Sequence, residues 1–271
     1  MATVRVDAER ALHCAVDDLL WPWDVATPVV MLHGYARNAR FWDRWVPAVA
    51  ERHRVYRPEL YGCGASDVPE PGWRCTGDAI LADVLAVLDA MGLARVHWVG
   101  ESSGGLIGLM LAAARPERVA SLVLCNAPTR ISDTVKRVYA LDRASAAAAI
   151  LAHGVGPWCR STLEYRLDLA HAAPELADWY VAEMDRTPAH VAAAMIECFE
   201  AVDLAPLLGR VGAPVLLLCG DRSPIAAEQQ AAMAAALPNG RLELLEGYGH
   251  GINLLQPARC AAAALAFWGG A

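Results

Sequence analysis

The chain has 271 residues, 56% of them hydrophobic and 20% charged, with a formal net charge of −7. That length allows one large domain with a sizeable core, and the lack of grouped Lys/Arg argues against a nucleic-acid partner. No stretch reaches the roughly 18 uninterrupted apolar residues of a membrane span, and the opening MATVRVDAER has no basic segment followed by an apolar one, so a cytoplasmic protein with no membrane partner is expected.

Taken in chain order, apolar runs rich in β-branched residues alternate with stretches of helical spacing. VVMLHG (29–34) reads as a strand, ARFWDRWVPAVAER as a helix, VYRPEL (55–60) as a strand and GDAILADVLAVLDAMGL as a helix. RVHWVG (95–100), a helix through GGLIGLMLAAARPERV, and VASLVLCN (119–126) follow. PVLLLCG (214–220) and LELLEG (242–247) complete the strands. Strands unbroken by polar residues are buried on both faces, and their alternation with helices predicts a mostly parallel α/β sheet with helices on both sides. From about 130 to 205 the pattern is helical throughout: SDTVKRVYALDRASAAAAILAHG, STLEYRLDLAHAA, PELADWYVAEMD and PAHVAAAMIECFEAV. The expected organisation is a core of residues 1–129 and 206–271 with a helical cap, 130–205, inserted between two strands. Such a cap would sit over the C-terminal edge of the sheet, where open α/β sheets bind ligands. The eight cysteines form no CxxC pair and several lie inside apolar runs, as buried reduced thiols would. Neither they nor the histidines have metal-ligand spacing, so no metal and no cofactor is expected.

The chemistry concentrates in Gly100-Glu101-Ser102-Ser103-Gly104, a G-x-S-x-G string between a strand and a helix. So sharp a reversal strains its middle residue and needs small neighbours, and it lifts the Ser102 hydroxyl above the sheet edge. The Ser103 amide lies at the following helix N-terminus, where backbone donors favour an anion. Late in the chain, EGYGHGINLLQP places His250 in a glycine-flanked loop, suited to take the serine proton and return it to a leaving group.

These features resemble the α/β-hydrolase family along nearly the whole chain. The resemblance makes His33-Gly34-Tyr35 the oxyanion loop, with Gly34 in its turn and the amides of Tyr35 and Ser103 as donors, and makes His33 a loop-holding residue. It makes ELYGCGASD (59–67) a structural turn, with Glu59 where the family has aspartate. The family's order of Ser, acid, His leaves the acid in question here. Its usual position, three residues after Gly220, holds Ser223, and the nearest carboxylate, Asp221, sits two residues early; a second position used by some members holds Asn126. Three arrangements stay open: Asp221 reaching His250 through a shifted loop, Asn126 or Ser223 as a neutral orienter, or a site that is silent or uses another carboxylate. GESSGG resembles the GESAGG elbow of carboxylesterases, in which the glutamate is a buried brace, and LVLCNAPTRIS resembles a stretch of 3-oxoadipate enol-lactonases.

The expectation is a cofactor-free serine hydrolase of a small carboxylic ester or lactone, with Ser102, His250 and Asp221 as its catalytic residues and a homodimer allowed. Serine at position 102 argues against haloalkane dehalogenases and epoxide hydrolases, which resemblance would give an aspartate there. A C–C hydrolase, an acyl transferase and a non-catalytic small-molecule receptor on the same scaffold are the rivals. In the cap, Tyr139, Trp158, Tyr180, Met184, Met195 and Phe199 are candidates for an apolar pocket wall or for plain helix packing. Arg37, after the oxyanion loop, either meets a substrate carboxylate or is a solvated loop residue.

Overall fold

A computed structural model describes residues 2–7, 10–224 and 227–269. Eight strands, Ala2–Arg5 (β1), Ala11–Asp17 (β2), Val29–Leu32 (β3), Val55–Pro58 (β4), Val96–Glu101 (β5), Val119–Cys125 (β6), Val215–Gly220 (β7) and Gly240–Leu245 (β8), form one sheet. Their order is β1-β2-β4-β3-β5-β6-β7-β8. From β4 onward every pairing is parallel, while β2 runs antiparallel to both β1 and β4.

The two-residue period of each strand divides the core between the two faces of the sheet. Val30 and Leu32 of β3 join Trp98, Leu122, Leu124 and Leu217 on one face, where they meet helices Gly77–Ala90 and Ser103–Ala114. Val29 and Met31 join Val99, Val123, Leu216 and Leu218 on the other, against Trp42, Trp45 and the helix Pro257–Gly269. Strands covered on both sides carry no polar alternation, which is why their runs in the sequence are continuously apolar. The N-terminal hairpin β1–β2 was not expected. Its residues alternate with Arg5, His13 and Asp17, and as the edge of the sheet it buries less of its surface, so the apolar run that marks the inner strands is missing.

Between β6 and β7 the chain forms helices Asp133–Ala140, Ala146–His153, Val155–Ser161, Pro174–Asp185 and Ala189–Ala201. Ser132 and Ser145 cap the first two, each hydroxyl accepting from the amide three residues on. The insertion leaves and re-enters the sheet side by side, through a bridge between Arg130 and Asp203. It is fastened to the loop after β3. The Tyr35 hydroxyl donates to Ala192 O (2.7 Å), Thr187 Oγ1 to Ala36 O (3.3 Å), and Asn38 Nδ2 to Glu183 Oε2 (2.7 Å). The helices therefore overlie the C-terminal edge of the strands.

One predicted helix is absent. STLEYRLDLAHAA folds as a short 3-10 turn, Leu163–Tyr165, and then as irregular chain. Its backbone groups are used elsewhere: the Asp168 amide donates to His250 O (2.9 Å), and Asp168 Oδ2 accepts from the Gly249 amide (2.7 Å). Docking against the His250 loop replaces the helical ladder, a tertiary demand that local spacing does not reveal.

Candidate active site

Strand β5 ends at Glu101 and a helix begins at Ser103, leaving Ser102 alone to make the reversal at φ +52°, ψ −118°. A serine in this region carries about 1–3 kcal/mol of backbone strain, which the surrounding fold must hold in place. Two features hold it. The Ser102 amide donates to Cys125 O of the neighbouring strand (3.0 Å). The helix also packs against the sheet without side-chain bulk: a Cβ on Gly100 would overlap Gly104 O, and one on Gly104 would overlap Leu32 O. Replacing either glycine would push the helix off the sheet and move the serine.

Ser102 opens into a narrow cavity between the elbow and the cap. Tyr35 and Ser103 line it beside Ser102, with Leu106, Ile131, Val135, Ile196 and Phe199 as apolar walls. The amides of Tyr35 and Ser103 donate to no acceptor among the described residues; that of Ser103 belongs to the first turn of its helix, where no intrahelical acceptor exists. Of the cap aromatics and methionines considered from the sequence, Tyr139 and Phe199 line the cavity, while Trp158, Tyr180, Met184 and Met195 are packed in the core.

His250 is completely buried, and each ring nitrogen has a partner. Nδ1 lies 3.1 Å from Ser223 Oγ, and Nε2 lies 3.1 Å from Glu101 Oε1. Asp221 is not the partner. It stands exposed at the start of the turn, and its Oδ1 accepts from the Gly247 amide (2.8 Å), so it braces the loop that carries His250 without touching the ring. Asn126 does not touch the ring either; its Nδ2 faces Cys219 Sγ at 3.4 Å. Of the arrangements left open by the sequence, two therefore have a hydrogen bond to His250: Ser223 as a neutral orienter on Nδ1, and another carboxylate, Glu101, on Nε2.

Glu101 takes a larger part than a brace. Its second oxygen pairs with Arg37 Nη1, both side chains being almost wholly buried. Gly34 packs directly on that pair, leaving no room for a Cβ. Arg37 is therefore not solvated: its Nη1 is paired with Glu101, its Nε is buried without a hydrogen-bond partner, it is flanked by the Phe41 and Tyr180 rings, and it too lines the cavity. Burial pushes the His250 imidazole well below its ordinary pKa, and the Arg37 and Arg166 charges push it further. A neutral ring beside an ionised carboxylate carries its proton on Nε2, donating to Glu101, while Nδ1 accepts from the Ser223 hydroxyl. The resting chain is Ser223–His250–Glu101–Arg37, and no hydrogen bond joins the ring to Ser102.

Two further groups behave as the sequence suggested. His33 is pushed down to about 4 by burial and holds the loop as a neutral ring, with Nδ1 on Gly34 O (2.7 Å) and Nε2 accepting from the Leu60 amide (3.1 Å). Glu59 closes its turn by accepting from the amides of Ala39 (2.8 Å) and Ala65 (2.7 Å).

With this geometry in view, the alpha/beta hydrolase fold family matches residues 27–257. The chain belongs to that family. Its sequence is 27% identical over 242 residues to the "Putative carbamate hydrolase RutD" of Pseudomonas savastanoi pv. phaseolicola, spanning 84% of this chain and 88% of the relative. The protein of the same name from Variovorax paradoxus is 29% identical over 246 residues, 85% of this chain and 87% of that one. Among solved structures, a hydrolase from Pseudomonas aeruginosa PA01 superposes with a TM-score of 0.84 at 26% identity, covering 98% and 97% of the two chains. The enol-lactonase from Burkholderia xenovorans LB400 superposes at 0.85 with 23% identity, covering 97% and 98%.

Within this α/β-hydrolase, sequence reasoning missed Arg166. The residue falls in the stretch misread as helix, where nothing distinguishes it from a surface arginine. In the structure it is buried, it lines the cavity, and it lies between the Tyr139 and Trp158 rings, 4.1 Å from each centroid. The Gly251-flanked His250 loop packs on its backbone.

Proposed function

We propose that this α/β-hydrolase is a serine hydrolase that cleaves a carboxylic ester or lactone through an acyl-enzyme on Ser102. The observation that carries the reading is the strained Ser102 elbow opening into a cap-covered cavity beside two unspent backbone amides. The Ser102 oxygen attacks the substrate carbonyl carbon, and the amides of Tyr35 and Ser103 receive the charge that develops on the carbonyl oxygen, a pair of donors each worth about 3–4 kcal/mol in such sites. The serine proton passes to His250 Nε2 and on to the departing alcohol oxygen as its bond to carbon breaks. Water, deprotonated by the same nitrogen, then releases the acid and restores the serine.

For Nε2 to accept, it must exchange its bond to Glu101 for one to Ser102, with the ring proton moving to Nδ1 and toward Ser223. A hydroxyl can orient that tautomer but does little for the imidazolium that follows, so turnover is expected to be slow compared with a carboxylate-backed triad. Carbamates, named in the curated relatives, present the same kind of acyl carbon and belong in the substrate panel.

The test compares Ser102→Ala with Ser223→Ala on p-nitrophenyl esters, with fluorophosphonate labelling mapped by mass spectrometry. Loss of Ser102 should lower kcat/KM by at least about 10³-fold and abolish labelling, while loss of Ser223 should cost about 10-fold or less. The reverse order would make Ser223, already hydrogen-bonded to the ring, the nucleophile. A non-catalytic receptor is the second reading, favoured by the resting bond between His250 and Glu101. Inertness of the wild-type chain toward both reagents, together with tight binding of a small molecule, would select it.

A further inference from the structure

The cavity carries more positive charge than its walls balance. Arg37 is matched by Glu101. Arg166 is matched by no carboxylate among the described residues, although only 3% of it is exposed. Its neighbours are the Tyr139 and Trp158 rings and, through Nη1, Thr162 O (3.0 Å) and Thr162 Oγ1 (2.5 Å). Nη2 is buried and has no hydrogen-bond partner. The other ionisable groups facing this region do not supply a counter-charge: burial raises the pKa of Tyr35, Tyr139, Tyr180 and Cys159, keeping them neutral. The two aromatic faces compensate part of the desolvation of the guanidinium, but an unsatisfied N–H on a buried cation is costly unless something arrives to accept from it.

We propose that Arg166 is the recognition group for a carboxylate carried by the substrate, away from the bond that is cut. The inference rests on the reading of the Ser102 cavity as the substrate site and narrows its substrate class to monoanionic esters or lactones, such as half-esters of dicarboxylic acids. The planar guanidinium, held over the two ring faces, offers its free nitrogen to an acceptor in a cavity whose walls are mostly apolar. There a neutral acyl chain gains only contact, whereas a carboxylate also completes the hydrogen bonding and neutralises the surplus charge. Arg37, the residue that sequence position brings forward for this task, also has an unpartnered nitrogen, Nε, but its charge is already balanced by Glu101.

Binding and turnover are measured separately. Monoethyl succinate, glutarate and adipate are titrated by calorimetry into the Ser102→Ala protein, each beside the ethyl ester amide of the same length. At least one half-ester should bind 10-fold or more tightly than its amide, and the added substitution Arg166→Gln should remove the difference. Arg166→Lys, which keeps the charge, should retain part of it, and thermal melts establish that each variant is folded. Equal binding of half-ester and amide, or a preference that survives Arg166→Gln, overturns the proposal. So does a lysine variant that folds but binds the anion no better than the glutamine one. In wild-type turnover the same half-ester should show the higher kcat/KM. If the anion binds through Arg166 while Ser102→Ala leaves turnover unchanged, the nucleophile assignment falls and the anion site stands.

Discussion

The two halves of the site are built differently. Ser102 is positioned by backbone: a strand end, a helix start, an amide bond to Cys125 O and two glycines that let helix and sheet touch. His250 is positioned by side chains drawn from distant parts of the chain: Ser223 27 residues away and Glu101 149 residues away, the latter itself held by Arg37. A backbone device tolerates little change in its few positions and writes itself into short sequence strings. A side-chain cradle can be rebuilt with different donors and acceptors, and here it has been, with a hydroxyl where the resemblance would place a carboxylate.

The largest way to break this contrast lies on the His250 side. Glu101→Gln leaves the buried Arg37 charge uncompensated and removes the anion facing Nε2. Breaking one partner of such a pair costs about 3–5 kcal/mol, and the loss should appear as a lower urea midpoint with an unchanged slope. The double variant Arg37→Met/Glu101→Gln should recover much of that stability, since it buries no unpaired charge. A single-variant loss under about 1 kcal/mol would mean that solvent reaches the pair, and that the cradle is looser than its burial implies.

On the elbow side the expected effect is smaller in stability but sharper in position. Gly104→Ala forces a methyl into Leu32 O and His33 O, and overpacking of this kind costs about 1–3 kcal/mol. Gly209→Ala, where nothing lies within contact range, is the control and should change stability by about 0.5 kcal/mol or less. Because the helix carries the Ser103 amide, Gly104→Ala should also lower kcat more than it raises KM. An alanine at 104 without cost in either quantity would show that the helix can retreat from the sheet without disturbing the serine.

The same contrast explains what the sequence made legible. Six parallel strands, the strand–turn–helix at Ser102 and the loop bearing His250 all show as local patterns, because apolar runs and glycine spacing reflect burial and tight turns directly. The edge hairpin β1–β2 hid behind its charged residues. The partner of His250 could not be read from spacing alone: Asp221 and Ser223 both fall in the right turn, and only the direction each side chain takes separates them. Asp221 turns outward to the Gly247 amide, and Ser223 turns inward to the ring. Arg166 was hidden for a third reason. Its segment has helical spacing but spends its hydrogen bonds on the His250 loop, so neither its conformation nor its burial follows from its neighbours in the chain.

The finest test rebuilds one half in the image of the family. Ser223→Asp places a carboxylate against Nδ1, the nitrogen that must carry a proton when Nε2 serves as base. If the hydroxyl limits the wild-type rate, the substitution should raise kcat by about 10-fold or more, a modest part of the roughly 10⁴ that separates charged from neutral orienters in a serine protease. The pH profile should move with it. In the wild type, burial and two arginines hold the ring neutral well below the ordinary histidine range, so kcat/KM should stay level as pH falls through 6.5 and decline only at lower pH. A new anion beside the ring favours the imidazolium and raises its pKa, so the acid limb of the variant should shift to higher pH. A faster enzyme with an unmoved acid limb would show that the aspartate acts on the loop and not on the ring. A shifted limb without a gain in rate would locate the slow step elsewhere, at the exchange of Glu101 for Ser102 on Nε2.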